Sequence, residues 1–257
     1  RGIITPTLEQ YVILGDPSSV TDNIPGTALP GKNSPDDRWV FTEENARHEC
    51  MTGAGLAIAS RVLKNSNPVL AEECINTAIE IWKKIGEKAP ESDFKLQFLS
   101  ELFLTTKDAS YEEEIYKMEN FITKSISRTG VSTSRIIKHL SKKDFVDNIT
   151  EAVRKDSAKI SNLISETPFG VPYKPVIWGA GWSIQQFGVE QYFLNKAWPE
   201  IISPDNFMSA LNFILGVHPG KNTASFASGI GSNSVTTAYG FNRADRSYIP
   251  GGVVSGT

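Results

Sequence analysis

The chain contains two cysteines and three histidines in 257 residues, and that scarcity closes several routes. Cys50 and Cys74 stand in helical contexts, at a spacing that suits neither a zinc site nor a disulfide framework, and read as small core residues. His48, His139 and His218 are too scattered for a metal set. His48 and His139 read as helix-surface residues, and His218 follows a helix end, where a cation suits the dipole. Neither a metal nor another cofactor is expected. Long apolar runs are missing too: no stretch approaches the roughly 18 residues of a bilayer span. A basic stripe is also absent. The 26 Lys and Arg and 29 Asp and Glu are interspersed, so no phosphate-neutralising surface for nucleic acid is expected. The opening "RGIITPTLEQ" is not a secretory signal, and without an initiating Met the chain reads as a processed or cut piece.

What is present is an ordinary apolar fraction, 40%, enough for a sizeable core. Residues 1–41 read mostly as loop, with turn signals at Gly15-Asp16-Pro17, Ile24-Pro25-Gly26 and Leu29-Pro30-Gly31, and only "EQYVIL" looks like a strand. Helices then dominate. In "ENARHECMTGAGLAIASRVLKN" the residues Ala54, Ile58, Ala59, Val62 and Leu63 recur at helical spacing, and the small Gly53, Ala54, Gly55 and Ala57 let another helix approach. The next helix opens with Asn67 as cap and Pro68 at its first position. Its stripe is Leu70, Cys74, Ala78, Ile81, Trp82 and Ile85. A third is expected around "ESDFKLQFLSELFLT". A fourth opens on a capping box of Ser110 with Glu113, a short fifth follows Ser132, and a sixth opens on Ser141 with Asp144. Past the break "TPFGVPYKPVIWGAG" come "WSIQQFGVEQYFLNKAW" and, capped by Ser203 with Pro204 inside, "PDNFMSALNFILG".

About eight helices with short connections make an all-α protein of antiparallel hairpins. No repeat of roughly 33–47 residues marks a solenoid. A closed α/α toroid is therefore expected, because a ring can place long irregular loops at one mouth. The final stretch, "SFASGIGSNSVTTAYGFNRADRSYIPGGVVSGT", fits such a place. Irregular segments beyond about 15 residues are either disordered or build a site. Disorder should lack Phe226, Tyr239, Phe241 and Tyr248, so residues 217–257 read as a loop built at a functional mouth.

Three blocks, in order, carry a resemblance: "AGLAIASRVLKNSNPVLAEECINTAIEIW", "FGVPYKPVIWGAGWSIQQFG" and "FMSALNFILGVHPGKNTASFASGIGSN". They resemble the successive landmarks of glycoside hydrolase family 9: an "AAASRVF" helix, a "VPYG…GWG" turn, and an "LNYVLGRNPLGRSYVTGFG" helix and loop. "DDRWVFTEENAR" and "YGFNRADRSYIPGGVVSGT" look more like an outlying, exo-acting bacterial subgroup. The resemblance implies a six-hairpin α/α toroid, incomplete here, forming one catalytic domain over residues 1–257. It also implies a secreted or periplasmic enzyme that hydrolyses β-linked glucans or related oligosaccharides with inversion. Inversion uses an acid and a base about 6.5–9.5 Å apart. The family's base lies in an Asp-Ala-Gly-Asp motif upstream of the Ala-rich helix, and its acid is a Glu beyond the Gly-rich loop; neither is found in these residues. Asp144 and Asp147, the only Asp-x-x-Asp, sit in an amphipathic helix where capping and solvation explain them. Missing parts of the same domain are accordingly expected, and a toroid without them should expose an apolar seam and be poorly stable alone.

The residues that suit a sugar are Asn242 and Arg243, the nearest match to the family's Asn-Pro-His-His-Arg run, with Tyr239 and Tyr248 offering ring faces and polar tips. Asp245 pairing with Arg243 or Arg246 to hold the loop is the competing reading. Trp178 and Trp182, flanked by glycines before a helix, can lie open to a sugar face or fill the barrel end. Trp82 and Trp198 read as core. Arg38, Trp39 and Glu43 precede the Ala-rich helix in a loop expected at the same mouth; Glu43 is the one carboxylate considered for the chemistry, although helix capping explains it equally. Two further functions stay open: a non-catalytic carbohydrate-binding toroid, and a helical scaffold whose end loop docks a protein.

Overall fold

The computed structural model describes residues 45–86, 88–173, 179–217, 221, 223–235 and 250–254, and the backbone of 11–13 and 39–41. The chain divides into two compact units, residues 1–48 and 49–257. In the first, β1 (Tyr11–Ile13), inside the expected strand, pairs antiparallel with β2 (Trp39–Phe41), setting Tyr11 opposite Phe41 and Ile13 opposite Trp39.

The second unit is helical: α1 (Ala46–Leu63), α2 (Pro68–Ile85), α3 (Asp93–Thr106), α4 (Ala109–Lys117), α5 (Glu119–Lys124), α6 (Ile126–Ile136), α7 (Lys143–Ser165), α8 (Ala180–Ala197) and α9 (Pro204–Ile214). Local chemistry sets several starts. The Asn67 side chain accepts from the Leu70 amide at 3.2 Å ahead of Pro68, and the Ser203 hydroxyl accepts from the Asp205 amide at 3.1 Å. Two expected caps are displaced. Asp108, not Ser110, caps α4, its carboxylate accepting from the Ser110 amide at 2.8 Å. At α7 the cap position is Lys142, with no side-chain bond, because the Ser141 hydroxyl and amide are both taken by Glu112 of α4, at 2.8 and 2.7 Å. The fourth expected helix is interrupted at Met118 and Ser125, giving α4 and α5, and α6 begins before the expected Ser132.

The helices form two layers, the architecture of an α/α toroid. One row runs α1, α3, α6, α8; α2, α4, α7 and α9 flank it. The first row is closely packed through small residues. A Cβ on Gly53 of α1 would lie 2.1 Å from the Phe98 ring of α3, and one on Gly130 of α6 would lie 3.2 Å from Leu194 of α8. Phe98, Leu96, Leu99 and Leu102 on α3 are wholly buried. So is Glu101, whose carboxylate is clamped by Arg61 from α1 and Arg135 from α6. The second row is amphipathic: α7 buries Phe145, Ile149, Val153 and Ile160 and turns its charged face to solvent. Cys50 and Cys74 are buried free thiols, as expected. Among the described residues no helix is long and apolar enough to cross a membrane.

Candidate functional site

The region of interest is where α8 starts and α9 ends. Gly179 enters α8 at a φ of 96°, a left-handed conformation that favours glycine, and supplies no capping side chain. Gly181 follows, and a Cβ there would stand 2.3 Å from the Val254 carbonyl oxygen, so the last described strand of chain is laid directly on this turn. Trp182 comes next, 71% exposed. At the other helix, Gly216 turns the chain at a φ of 86°, where a Cβ would stand 2.4 Å from the Thr223 carbonyl oxygen. The backbone then doubles back so that the Phe226 amide donates to the Ile214 carbonyl at 2.8 Å.

This return builds a small platform. Phe226 stacks on Phe213 with centroids 5.0 Å apart, and Phe169 meets Phe213 edge-on at 5.3 Å. β3 (Ala224–Ser225) pairs parallel with β4 (Asn233–Ser234). Residues 250–254 run alongside: the Gly251 amide donates to the Ser228 carbonyl at 2.7 Å, and the Val254 amide to the Phe226 carbonyl at 2.8 Å. Ala227 and Val253 face each other in that ladder and join Val171, Ile184, Ala210 and Ile214 in one apolar cluster. Both flanks of residues 236–249 are thus fixed to the same end of α8 and α9 that bears Trp182. The described parts of the C-terminal stretch are a packed structure, as its aromatic content suggests.

Of the sequence-predicted site residues, Trp182 is the one whose side chain is described, and it lies open. Arg38, Glu43, Trp178, Tyr239, Asn242, Arg243 and Tyr248 lie outside the described residues, as does His218. Trp39 takes part in β2 by its backbone, opposite Ile13. Trp198 is buried, its indole N–H donating to the Thr150 hydroxyl at 3.0 Å, and Trp82 packs edge-on against Phe98 and Tyr111. His48 and His139 are exposed on helices, and Asp147 is taken up by Lys143. Among the described residues no group of His, Cys, Asp and Glu could hold a metal.

Two carboxylates escaped the sequence reading. Burial pushes the Glu190 carboxyl of α8 above its ordinary range; a hydrogen bond from Gln186 opposes this, and the nearby charges of Asp156 and Asp93 add to it. Asp156 on α7 is raised by burial as well, against the pull of Lys159, and it lines a polar cavity of about 510 Å³ with Ser127 and Asn148. A signal for Asp156 existed: it falls on the stripe Phe145, Ile149, Val153, Ile160, where a charge is out of place.

No family model matches the sequence, and no curated protein matches it. Solved structures do. The glycoside hydrolase family 9 endoglucanase J30 superposes with a TM-score of 0.64 over 82% of this chain and 44% of its own, at 16% identity. The Bacteroides ovatus family 9 structure gives 0.62, with 83% and 47% covered, at 16% identity. A thermostable endoglucanase from Alicyclobacillus acidocaldarius gives 0.61, with 86% and 47% covered, at 14% identity. The fold is therefore that of the family 9 glycoside hydrolases. The chain spans less than half the length of these structures.

Proposed function

We propose that this chain is part of a cellulase-like glycoside hydrolase that acts on β-linked glucan or related oligosaccharides, with inversion, in a secreted or periplasmic setting. The observation that carries the reading is Trp182, an indole left 71% exposed on a turn that two glycines and the C-terminal platform hold in place. A large aromatic ring open to solvent, beside a loop rich in polar and aromatic residues, suits the apolar face of a pyranose ring. Trp178, Tyr239 and Tyr248 are proposed as further stacking partners, and Asn242 and Arg243 as hydrogen-bonding partners for hydroxyls. Arg38 and Trp39 are proposed to line the same cleft, with Glu43 as the one catalytic candidate. The sequence lacks an Asp-Ala-Gly-Asp motif, and this favours a second reading: a carbohydrate-binding toroid without hydrolysis.

Fluorescence titration with cellotetraose tests the binding. Quenching is expected, and Trp182→Ala should weaken affinity about tenfold, equivalent to about 1.4 kcal/mol. Its stability should stay within about 0.5 kcal/mol, because an exposed ring contributes little to the fold. Absence of any sugar response, in a chain whose circular dichroism is helical, would overturn the proposal. Release of p-nitrophenol from aryl β-glucosides, cellobiosides and glucosaminides separates the two readings. Turnover lost on Glu43→Gln supports hydrolysis by this chain, and binding without turnover supports the second reading.

A further inference from the structure

Exposed large apolar side chains are unevenly placed. Among the described residues they occur at Met51, Val62, Val69 and Leu70, and again from Leu163 to Ile230, with none between Leu70 and Leu163. In chain order these are the two ends of the helical stack; the middle is sealed. A scattering of single surface hydrophobes is ordinary, whereas confinement to the terminal hairpins marks faces that another element should cover.

The α8–α9 face is the better formed of the two. Gly188 of α8 sits so close to α9 that a Cβ would lie 2.9 Å from the Ala210 side chain, giving a groove floored by small residues. Val189 and Tyr192 wall one side and Phe207 and Leu211 the other, around about 350 Å³ that no charged residue lines. Tyr192 meets the Phe207 ring edge-on at 5.6 Å, which keeps the wall rigid. The exposed residues recur three apart on both helices, Val189 with Tyr192 and Met208 with Leu211, so the walls are helical ridges. Such a groove takes the apolar ridge of a third helix spaced i, i+3, i+4, i+7. A nucleic acid or a strongly charged peptide would find no counter-charge in it.

We infer that the α8–α9 groove is an internal interface, which seats a helical hairpin of the same toroid carried by a longer form of this polypeptide. More than half of each solved structure with this fold has no counterpart in this chain, which is the amount of helical chain needed to cover both ends of the stack. This inference rests on the fold and not on sugar hydrolysis.

Cysteine protection tests it. The two natural cysteines are buried, so a thiol placed on the surface reports alone. Leu211→Cys and Val189→Cys are made in the natural reading frame extended to its own start and stop codons, with Glu113→Cys on α4 as an open control. Maleimide–polyethylene glycol should modify positions 211 and 189 at least about tenfold more slowly than 113 in the monomeric extended protein. In the chain of 257 residues the three should react alike. Equal rates in the extended protein overturn the inference, as does a reading frame that adds no helix. Protection that appears only in a species of doubled mass, and is lost on dilution, assigns the groove to a second copy and also overturns it. Because the decisive comparison lies within the extended protein, a shorter chain that fails to fold does not blur it.

Discussion

Glu101 on α3 and Glu190 on α8 are glutamates on two helices of the same packed row, and their surroundings are opposite. Glu101 is wholly buried and receives two guanidinium groups, from Arg61 and Arg135, so that one carboxylate ties α1, α3 and α6 together. Glu190 has a hydrogen bond from Gln186 and faces the charges of Asp156 and Asp93. The middle of the stack spends its charges on cohesion, whereas α8 carries a carboxylate held against its preference, an exposed indole and an uncovered groove. Helices that only support a fold resemble the first; the features a ligand or partner can use gather on the second.

The largest effect expected from breaking this contrast is at Glu101. Glu101→Gln removes the counter-charge of two arginines while preserving shape, and should cost about 3 kcal/mol, because removing one partner of a buried ionic cluster strands the others. Urea denaturation followed by circular dichroism measures it. A loss below about 1 kcal/mol would mean that solvent screens the clamp and that the middle of the stack is not what binds its helices together. Next in size is Gly181→Ala at the mouth. The new methyl group meets the Val254 carbonyl and the Phe226 ring, and should cost about 2 kcal/mol by overpacking. Deuterium exchange should rise at the Val254 and Gly251 amides. The Glu101 change should leave those two amides as they are, so the pair of variants tests whether platform and clamp are separate units.

Much of this was legible in advance, and what was missed has a common physical origin. Asn67 before Pro68 and Ser203 before Pro204 are caps because their side chains answer amides two or three residues away, which a sequence displays directly. Ser141 looked like the same device, but Glu112 and Tyr116 from another helix claim it, and no local pattern reveals that competition. Ser110 lost its capping role to Asp108, two residues upstream and equally suited to it. Trp182 was recognised from its flanking glycines, since those residues mark a turn where a ring can stay open. Glu190 was invisible. Its desolvation comes from burial beside α7 and α3, and periodicity along one helix carries no information about the charge of its neighbours.

The smallest expected effect is the most specific. The folded-state pKa of Glu190 lies above its unfolded value, so the stability this group contributes is complete below the unfolded carboxylate range and is lost as pH rises through the folded value. At neutral pH the ionised group therefore weighs against the fold, and Glu190→Gln should be more stable than the parent, with the difference closing as pH falls through the carboxylate range. Asp156→Asn should behave in the same direction, since its carboxyl is raised by the same kind of burial. The groups that face the pair enter the reading: Lys159 draws Asp156 back toward ionisation, and Arg128, 3.8 Å from Asp93, offsets the third carboxylate. Because Glu190 and Asp156 repel each other, removing either relieves the other, and the double variant should gain less than the sum of the two. Urea midpoints for the four proteins between neutral and acidic pH measure both the sign and the coupling. Curves that run parallel at every pH would show that Glu190 is as well solvated as any surface glutamate, and the contrast with Glu101 would reduce to the presence of two arginines.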